Sequence, residues 1–396
     1  MPLPNLAQSP TDLGFVQNPY PFYDRLRALG PLVVWDDYAI PAATTYQAVN
    51  TTLRDRRFGR QEPAERAEPS PAHLAPFHAV ERHSMLDAEP PRHTRLRTLV
   101  LRAFTSRRIA ALAPEIEALC HDLIDDFLDG AFDLLPTYCA RLPVIVIARL
   151  LGVPETMAPQ LLRWSNCMVA MYQARRDPAI EDAAAAAARD FAGFMRGYVD
   201  RRRSRPADDL ITHLIAAEED GERLSTDELI ATCILLLNAG HEATVHTLGN
   251  GVKTLIETAT RPSALLPDTV AATVEEILRY DPPLHIFTRY AYEEVELFGH
   301  RFARGDQVAC LLAAAGRDPA VYHSPGEFDP GRKARPHLAF GAGIHFCVGA
   351  PLARLELQIA LTALFGRLPG LGLAEPPRYA NLYHFHGLES LPVTPR

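Results

Sequence analysis

The sequence has little of what marks a metal-cluster protein, a membrane protein or a secreted disulfide scaffold. Only six cysteines occur among 396 residues and none forms a C-x-x-C pair, so zinc-ribbon, iron–sulfur and dithiol redox sites lack support. The longest strongly apolar run, residues 228–240, is too short to span a bilayer. The first residues show no basic region followed by an apolar one, so no signal peptide is predicted. These absences predict a soluble, cytoplasmic protein.

Two further absences restrict the partners. The formal net charge is −8, which gives no general affinity for nucleic acid or for an anionic membrane. No G-x-G-x-x-G pattern follows a predicted strand, so the chain shows no flavin or nicotinamide domain of its own. What is present is a large apolar content, 47% of the residues, which is enough for a sizeable core.

Helical patterns dominate the chain, and extended segments are few. The predicted helices cover residues 91–104, 109–127, 157–172, 180–203, 226–258, 269–280 and 351–368. The extended segments lie at residues 31–40, 286–312 and 382–393. Since these segments come from both ends of the chain and no linker-like stretch divides it, we expect a mainly α protein with one small sheet built from distant segments. The whole chain, residues 1–396, is predicted to be a single domain.

One cysteine differs from the other five, which sit in apolar contexts typical of inert buried side chains. Cys347 lies in a glycine-rich loop, FGAGIHFCVG, directly before a predicted helix whose apolar stripe is Leu352, Leu355 and Ile359. The N-terminus of a helix lowers a thiol pKa, and the glycines let backbone amides approach the sulfur. A thiolate here is either a nucleophile, with His345 as the local base, or a metal ligand.

The loop resembles the haem-binding loop of the cytochrome P450 family, F-G-x-G-x-H-x-C-x-G, at each specified position. The resemblance extends over essentially the whole chain and is closest in character to a soluble bacterial member. It implies the cytochrome P450 fold, in which haem b lies between a long central helix and the cysteine loop, with Cys347 as the thiolate ligand of the iron. By the same resemblance Phe340, Gly341, His345 and Gly349 belong to the haem-binding loop.

A second pattern of the family is H-x-x-x-R in the segment DAEPPRHTRLR. His93 and Arg97 are four residues apart and share one helix face, which by itself is typical of a solvated basic surface. The resemblance implies that both bind haem propionates, together with Arg289 in the segment FTRYA and with His345. Arginine suits this role because its guanidinium binds a carboxylate in bidentate fashion.

The segments EILR and FDPGR resemble a structural motif of the family. Taken alone, Glu276 and Arg279 at i,i+3 read as a surface ion pair worth about 0.2–0.5 kcal/mol. The resemblance instead implies a network of Glu276, Arg279 and Arg332 that braces the region behind the haem and takes no part in catalysis.

The segment NAGHEAT, residues 238–244, interrupts the longest apolar helix with a glycine and a glutamate, and such local inconsistencies are typical of functional sites. It resembles the oxygen-binding helix of the family, in which Ala239 and Gly240 would leave space above the iron and Glu242 would relay protons. The sequence departs from the family at Ala243, where a threonine is usual. Thr244 follows, but one residue is a turn of about 100° on a helix, so it cannot simply replace the missing hydroxyl.

The resemblance also outlines a substrate pocket for a small-to-medium apolar molecule. Its predicted contacts are Met168, Tyr172, Leu284, Ile286, Phe287 and Leu388, with Tyr172 or His285 as polar contacts. Most of these side chains could equally be ordinary core residues.

The implied function is a haem-thiolate monooxygenase that inserts one oxygen atom from O2 into its substrate. Electrons would come from a [2Fe–2S] ferredoxin and an NAD(P)H-dependent ferredoxin reductase, and we expect a monomer. Arginines and a lysine at 92, 95, 102, 107, 108, 332, 333 and 335 could dock an acidic ferredoxin or form a solvated basic face. Two alternatives remain open: a peroxide-driven or non-inserting (coupling or desaturating) enzyme, because of Ala243, and a non-enzymatic haem sensor or carrier.

Overall fold

The structure is a computed structural model that describes residues 2–67, 69–173, 176–217, 221–333 and 336–395. Its helices are α1 (Leu13–Gln17), α2 (Tyr20–Leu29), α3 (Tyr46–Arg54), α4 (Ala75–Glu81), α5 (Arg92–Ala103), α6 (Ser106–Ala111), α7 (Ala113–Asp125), α8 (Arg141–Leu151), α9 (Ala158–Val169), α10 (Pro178–Ser204), α11 (Leu210–Ala216), α12 (Thr226–Glu257), α13 (Val270–Tyr280), α14 (Leu312–Gly316) and α15 (Ala350–Arg367). Within these described ranges, no helix combines the length and the apolar character needed to cross a membrane.

The strands are short and come from distant parts of the chain. They are β1 (Asn5–Leu6), β2 (Leu32–Trp35), β3 (Ile40–Ala43), β4 (Phe58–Gly59), β5 (Phe132–Asp133), β6 (Ile286–Ala291), β7 (Val295–Leu297), β8 (His300–Phe302), β9 (Gln307–Leu311), β10 (Gly372–Leu373) and β11 (Pro392–Thr394). A six-stranded sheet has the order β1-β2-β3-β9-β6-β4, so N-terminal strands pair with strands that follow α13. The mainly α architecture with small sheets is as predicted.

The prediction of one sheet is wrong, because the C-terminal segment does not join the six strands. Of residues 382–393, only the end enters a strand, and β11 pairs with β10 and β5 in a separate three-stranded sheet. The rest of that segment forms turns joined to the core by two isolated bridges, Leu284 with Phe385 and Tyr379 with Leu388. These turns bring the C-terminal segment against α12.

The central helix α12 has a strong start signal and an interior that is buried along most of its length. Ser225 caps it, and Glu228 completes a capping box, since each side chain bonds the backbone N–H of the other residue. The helix packs against α8, α10, α13 and α15. A helix enclosed on several sides is apolar around most of its surface, so the few polar residues inside α12 need a separate explanation.

Sequence periodicity missed α8 because this helix is apolar except at Arg141 and Arg149. Its sequence, RLPVIVIARLL, contains Pro143 in the first turn, where a missing N–H costs no intrahelical bond. It packs against α7, α9 and α12, and a helix enclosed in this way shows no polar face. The predicted helix 109–127 is instead two helices, α6 and α7, which meet at Leu112 just before Pro114.

The network of Glu276, Arg279 and Arg332 is buried and is not a surface pair. Glu276 and Arg279 are 5% and 3% exposed, and Arg279 holds both carboxylate oxygens at 2.6 and 2.7 Å. Arg332 Nε donates to Glu276 Oε1 at 3.2 Å. The remaining N–H groups of Arg279 donate to the carbonyls of Gly316, Pro325 and Glu327. Every charge is thus paired or hydrogen bonded, and α13 is tied to the loops that follow α14.

Removing one partner from this network should be costly. We expect Arg279→Ala to lower the free energy of unfolding by about 3–5 kcal/mol, because Glu276 would keep a buried charge with only one cation beside it. Arg301→Ala is the matched control, since Arg301 and Glu294 lie 3.6 Å apart with side chains 71% and 65% exposed, and such pairs contribute about 0–1 kcal/mol. Urea unfolding of both variants measures the difference, and equal losses would contradict a structural role for the buried network.

Candidate active site

The cysteine loop has a backbone that glycine makes possible. Gly341 and Gly343 have φ values of 70° and 71°, a conformation that residues with a Cβ rarely adopt. A Cβ on Gly343 would also lie 2.3 Å from the carbonyl oxygen of Leu53. Cys347 N donates to Phe340 O at 3.0 Å, so the loop closes on itself. These contacts present the sulfur at the first turn of α15.

The electrostatic surroundings of the Cys347 sulfur act in opposite directions. Burial raises the pKa of the thiol above its ordinary value, while the backbone N–H groups of Gly349 and Ala350 and the positive charges of Arg97 and Arg354 lower it. Burial is the larger effect, so the expectation that the helix N-terminus leaves this thiol with a lowered pKa is wrong for the free thiol. A bound metal ion deprotonates a coordinating thiol outright, and the same amides would then stabilise the thiolate.

His345 does not serve as a base for the thiol. Its Nε2 lies 2.9 Å from Glu89 Oε1, and its ring packs against His93 with the centroids 4.3 Å apart. Since a nucleophilic cysteine needs a base within hydrogen-bond reach, the geometry favours the metal-ligand interpretation of Cys347 over the nucleophile.

Cys347 and the central part of α12 line one large cavity whose wall is mostly apolar. The predicted site residues in this wall are His93, Arg97, Tyr172, Ala239, Gly240, Ala243, Thr244, Leu284, Phe287, Phe340, His345, Cys347 and Gly349. The structure therefore brings the cysteine loop, the H-x-x-x-R helix α5 and the NAGHEAT segment to one place. Their individual roles stay predictions.

Several predicted residues lie outside the wall. Met168 Sδ accepts a hydrogen bond from the side-chain amide of Asn238 at 3.7 Å. Ile286 belongs to the core beneath the six-stranded sheet, and Leu388 packs in the main core. His285 is also away from the cavity, because its Nδ1 bonds Tyr23 Oη at 2.9 Å inside the core. For these four, substrate contact is a prediction that the geometry does not support.

Arg289 and Gly341 also lie outside the cavity wall, but both are adjacent to it. A Cβ on Gly341 would be 3.3 Å from the ring of Phe287, a cavity residue. Arg289 is 2% exposed, and its Nη1 donates to the carbonyl of Thr288 at 2.8 Å. Burial lowers the pKa of Arg289 to about 10. In the part of the chain that the structure describes, no ion pair of Arg289 with a carboxylate is found, so this buried guanidinium suits an added anionic group.

Glu89 and Arg60 take part in this polar end of the cavity, although sequence reasoning missed both. Glu89 Oε1 accepts from the backbone N–H of Arg60 at 2.6 Å as well as from His345. Burial raises the pKa of Glu89, whereas the hydrogen bonds from His345 and from the Arg60 backbone lower it. Together the opposing effects leave the pKa of Glu89 below its ordinary value. Glu89 stands four residues before His93, yet nothing in that spacing indicates a partner 256 residues away.

The hydrogen bonds within α12 show why Thr244 does not replace the threonine hydroxyl that is missing at position 243. Thr244 Oγ1 donates to the carbonyl of Gly240 at 3.0 Å, and Thr247 Oγ1 donates to the carbonyl of Ala243. Both hydroxyls are committed to the helix backbone one turn earlier. Ala243 itself faces the cavity, so the position where the family usually carries a threonine hydroxyl has only a methyl group.

Glu242 lies behind the wall and does not line the cavity. Asn166 of α9, with its amide nitrogen turned toward the carboxylate, donates to Glu242 Oε1 at 3.3 Å. The other oxygen, Oε2, lies 3.5 Å from His246 Nε2. Burial raises the pKa of Glu242 to about 7, so this carboxyl exchanges its proton near neutral pH. Carboxyls tuned in this way are frequent at functional sites.

Comparison with known proteins agrees with this geometry. The family model described as Cytochrome P450 matches residues 268–368. The cytochrome P450 monooxygenase PikC of Streptomyces venezuelae is 38% identical over 392 residues, which covers 96% of this chain and 91% of PikC. The chain belongs to the cytochrome P450 family. It is therefore an oxidoreductase of the P450 monooxygenase class, and its cofactor is haem b.

Other members of the P450 family match over nearly the full chain. The biotin biosynthesis cytochrome P450 of Bacillus subtilis is 36% identical, with 98% of this chain and 99% of that protein covered. Among solved structures, P450BioI in complex with hexadec-9Z-enoic acid ligated acyl carrier protein has a TM-score of 0.90 and 34% identity, covering 97% of this chain and all of that one. The fold described above is the cytochrome P450 fold.

The residues present fit haem b. Cys347 is the sulfur that would bind the iron, and the buried Arg289 guanidinium suits a propionate. Arg97 lines the cavity and donates to the carbonyl of Phe346 at 2.7 Å. His93 lines the same cavity, one helical turn before Arg97 on α5. Ala239 and Gly240 face the cavity from α12 with little or no side chain.

The ligand assignment predicts a spectroscopic loss. Reduced protein exposed to carbon monoxide should show the strongly red-shifted haem band of thiolate ligation, and Cys347→Ala should abolish it, because Cys347 is the one cysteine that lines the cavity among the residues described. Cys310→Ala is the control, since Cys310 is buried in β9 of the six-stranded sheet. A red-shifted band that survives in Cys347→Ala would contradict the assignment.

The propionate assignment predicts a loss of haem. Arg289→Ala and Arg97→Ala should lower haem occupancy and melting temperature, because removing one side of a buried charge pair costs about 3–5 kcal/mol. The control is Arg201→Ala, because Arg201 is an exposed residue of α10 whose guanidinium carbon lies 4.6 Å from the ring centroid of Tyr198. Haem content per protein, measured after purification, should fall only in the first two variants. Equal occupancy in all three would remove Arg97 and Arg289 from the cofactor site.

Proposed function

We propose that this P450 inserts one oxygen atom from O2 into a small-to-medium apolar organic substrate. Support comes mainly from the cavity, which joins Cys347 to α12 and whose wall is mostly apolar, with leucine as the most frequent residue. Apolar walls with few polar groups are typical of sites for apolar ligands. The similar P450BioI was solved with an acyl chain on its carrier protein, which is consistent with an apolar substrate here.

Haem supplies oxygen binding and activation when it is bound. The chain's own residues have three tasks. The amides of Gly349 and Ala350 hold the Cys347 sulfur, as described above. The small side chains of Ala239 and Ala243 leave space beside α12, and the apolar wall excludes bulk water from the substrate. Glu242 holds a proton at a carboxyl that titrates near neutral pH, and it lies directly behind Ala243 and Thr244.

Ala243 requires protons to reach the cavity without a threonine hydroxyl. A methyl group cannot donate a hydrogen bond, and the hydroxyls of Thr244 and Thr247 already donate to backbone carbonyls. The donor is therefore a polar group on the substrate or a water molecule held near Glu242. An ordered water costs only about 0–2 kcal/mol of entropy, so either route is energetically accessible.

A second candidate is a peroxide-driven or non-inserting reaction on the same scaffold, which the methyl group at Ala243 favours. Product analysis separates the candidates. We expect an oxygen-inserted product with a supplied ferredoxin, reductase and NADH under 18O2, with one labelled atom in the product. Product from peroxide alone, or a coupled or desaturated product without label, would support the second candidate. Absence of product under every condition would leave a sensor or carrier.

Electrons would arrive from an external [2Fe–2S] ferredoxin and its NAD(P)H-dependent reductase, and the enzyme would act as a monomer. The structure narrows the basic residues available for docking. Arg95 pairs with Glu222 and Glu228, and Arg332 belongs to the buried Glu276 network. Arg107 and Lys333 are exposed, while Arg335 lies outside the described residues.

Exposed apolar side chains accompany these cations. Phe346, next to Cys347, is 38% exposed and Leu101 is 45% exposed. Arg97, one helical turn before Leu101, bonds the Phe346 carbonyl, so both apolar side chains lie on the side of the cysteine loop. An apolar centre with a charged rim is the usual composition of a transient interface.

Charge attraction at this surface predicts a salt dependence. The rate of reduction by an acidic ferredoxin should fall as ionic strength rises, because salt screens exposed charges. Arg107→Glu should lower the rate at low salt, while Arg201→Glu on α10 should not. Stopped-flow reduction across an ionic-strength series measures both effects, and a flat series would indicate that these cations are only a solvated face.

A further inference from the structure

His246 lies one helical turn after Glu242 on α12, and no role in the proposed reaction depends on it so far. Its Nε2 is 3.5 Å from Glu242 Oε2, and the two side chains are 11% and 17% exposed. On a helix, residues four apart stack on the same face. His246 is thus the nearest titratable neighbour of the proton-holding carboxyl on its own helix.

The C-terminal segment shapes the space that His246 occupies. A Cβ on Gly387 would lie 1.8 Å from His246 Nδ1, so only glycine leaves room for the ring. Phe385 covers the ring from the same segment, with centroids 5.5 Å apart. The Nδ1 atom is buried and has no hydrogen-bond partner within the described residues. An unpartnered buried nitrogen is destabilising, so packing alone gives no reason for a histidine here.

The histidines around the pair are neutral near pH 7, while the carboxyl of Asp281 lies 3.5 Å from the Nε2 of His386. Burial lowers the pKa of His246 to about 4, and it lowers the pKa of His241 and of His386 to about 3. His241 lies on α12, and His386 lies on the C-terminal segment beside Gly387, where Lys253 also disfavours its protonation. From α9 the facing group is Asn166, which is uncharged. Glu242 is consequently the member of this cluster that titrates near neutral pH.

We propose that His246 is a positioning residue for proton delivery, and that its neutral imidazole donates Nε2–H to the ionised carboxylate of Glu242. This inference rests on the proposed monooxygenase function. In the step, Glu242 passes its carboxyl proton to water at the cavity and becomes a carboxylate. The Nε2–H of His246 stays on the ring and hydrogen bonds Oε2, and a proton from solvent restores the acid. The imidazole stays neutral throughout. Glu242 takes up one proton from solvent for each proton that it delivers.

The sign of the effect follows from this arrangement. Burial alone raises the pKa of Glu242, because it disfavours the charged form. A donor on Oε2 favours the charged form and lowers the pKa of Glu242 relative to burial alone. Removing the donor should therefore raise the pKa of Glu242. A carboxyl whose pKa lies above the working pH gives up its proton less readily.

The experiment measures the protonation of Glu242 directly in the haem-loaded ferric enzyme, without turnover. Infrared difference spectra over a pH series report the carboxylic-acid C=O band, which Glu242→Gln assigns by its disappearance. His246→Leu should move the midpoint upward by about one pH unit, a tenfold change in proton affinity. His246→Gln, which keeps an N–H donor, should return the midpoint most of the way to that of the unsubstituted enzyme. Gly387→Ala, which displaces the ring without removing it, should shift the midpoint in the same direction as His246→Leu.

The matched control is His241→Leu, which removes from the same helix a buried histidine whose ring nitrogens make no hydrogen bond to Glu242. An unchanged midpoint in His246→Leu, or an equal shift in His241→Leu, would overturn the proposal. The pH profile of product formed per NADH should move with the infrared midpoint; a profile that stays in place while the midpoint moves would also overturn the role in proton delivery. If the enzyme forms no oxygenated product at all, the proposed function fails, whereas the infrared titration still decides whether His246 stabilises the carboxylate.

Discussion

The sulfur of Cys347, at the wall of the cavity, imposes the main constraint on this structure. A thiol surrounded by apolar groups resists ionisation, and a thiolate needs donors that do not move. The loop before α15 supplies them by folding back on itself from Phe340 and by starting the helix three residues after Cys347. The loop can do so only because Gly341 and Gly343 adopt left-handed conformations. The cavity, the central helix α12 and the polar end of the cavity are arranged around the Cys347 sulfur.

The arginines near the sulfur fall into two groups with different tasks. Arg354 is held in bidentate fashion by Glu275 at 2.6 and 2.9 Å, and Arg279 is held by Glu276 in the same way. Although burial raises it, the hydrogen bonds from His337 and Arg354 bring the pKa of Glu275 down to about 2. These paired arginines tie α13 to α15 and to the following loops. Arg289 has no such carboxylate in the described part of the chain, and this difference makes it the candidate for binding an anionic group of the cofactor.

Three of the breaks in the apolar pattern of the central helix have separate physical causes. Gly240 lies against Ile147 of α8, where a Cβ would be 3.1 Å from the side chain. Glu242 is buried beside α9 and keeps a proton near neutral pH. His246 fills the space that Gly387 leaves. Two of these irregularities place titratable side chains, Glu242 and His246, side by side behind one wall of the cavity.

By itself the sequence determined the chemistry of the site more fully than its walls. The loop around Cys347 is a local pattern of ten residues, the long helix α12 carries its own start signal, and the E-x-x-R spacing lies within one turn, so each was readable from neighbouring residues. Only tertiary structure decided that Glu89 meets His345, that Gly387 makes room for His246, and that Met168, Ile286 and Leu388 belong to the core and not to the cavity. It also decided that the C-terminal segment packs against α12 and does not extend the six-stranded sheet. The physical reason is the same in each case: side chains far apart in the chain meet only after the helices have packed, and a pattern of apolar residues looks alike whether it faces a core or a ligand.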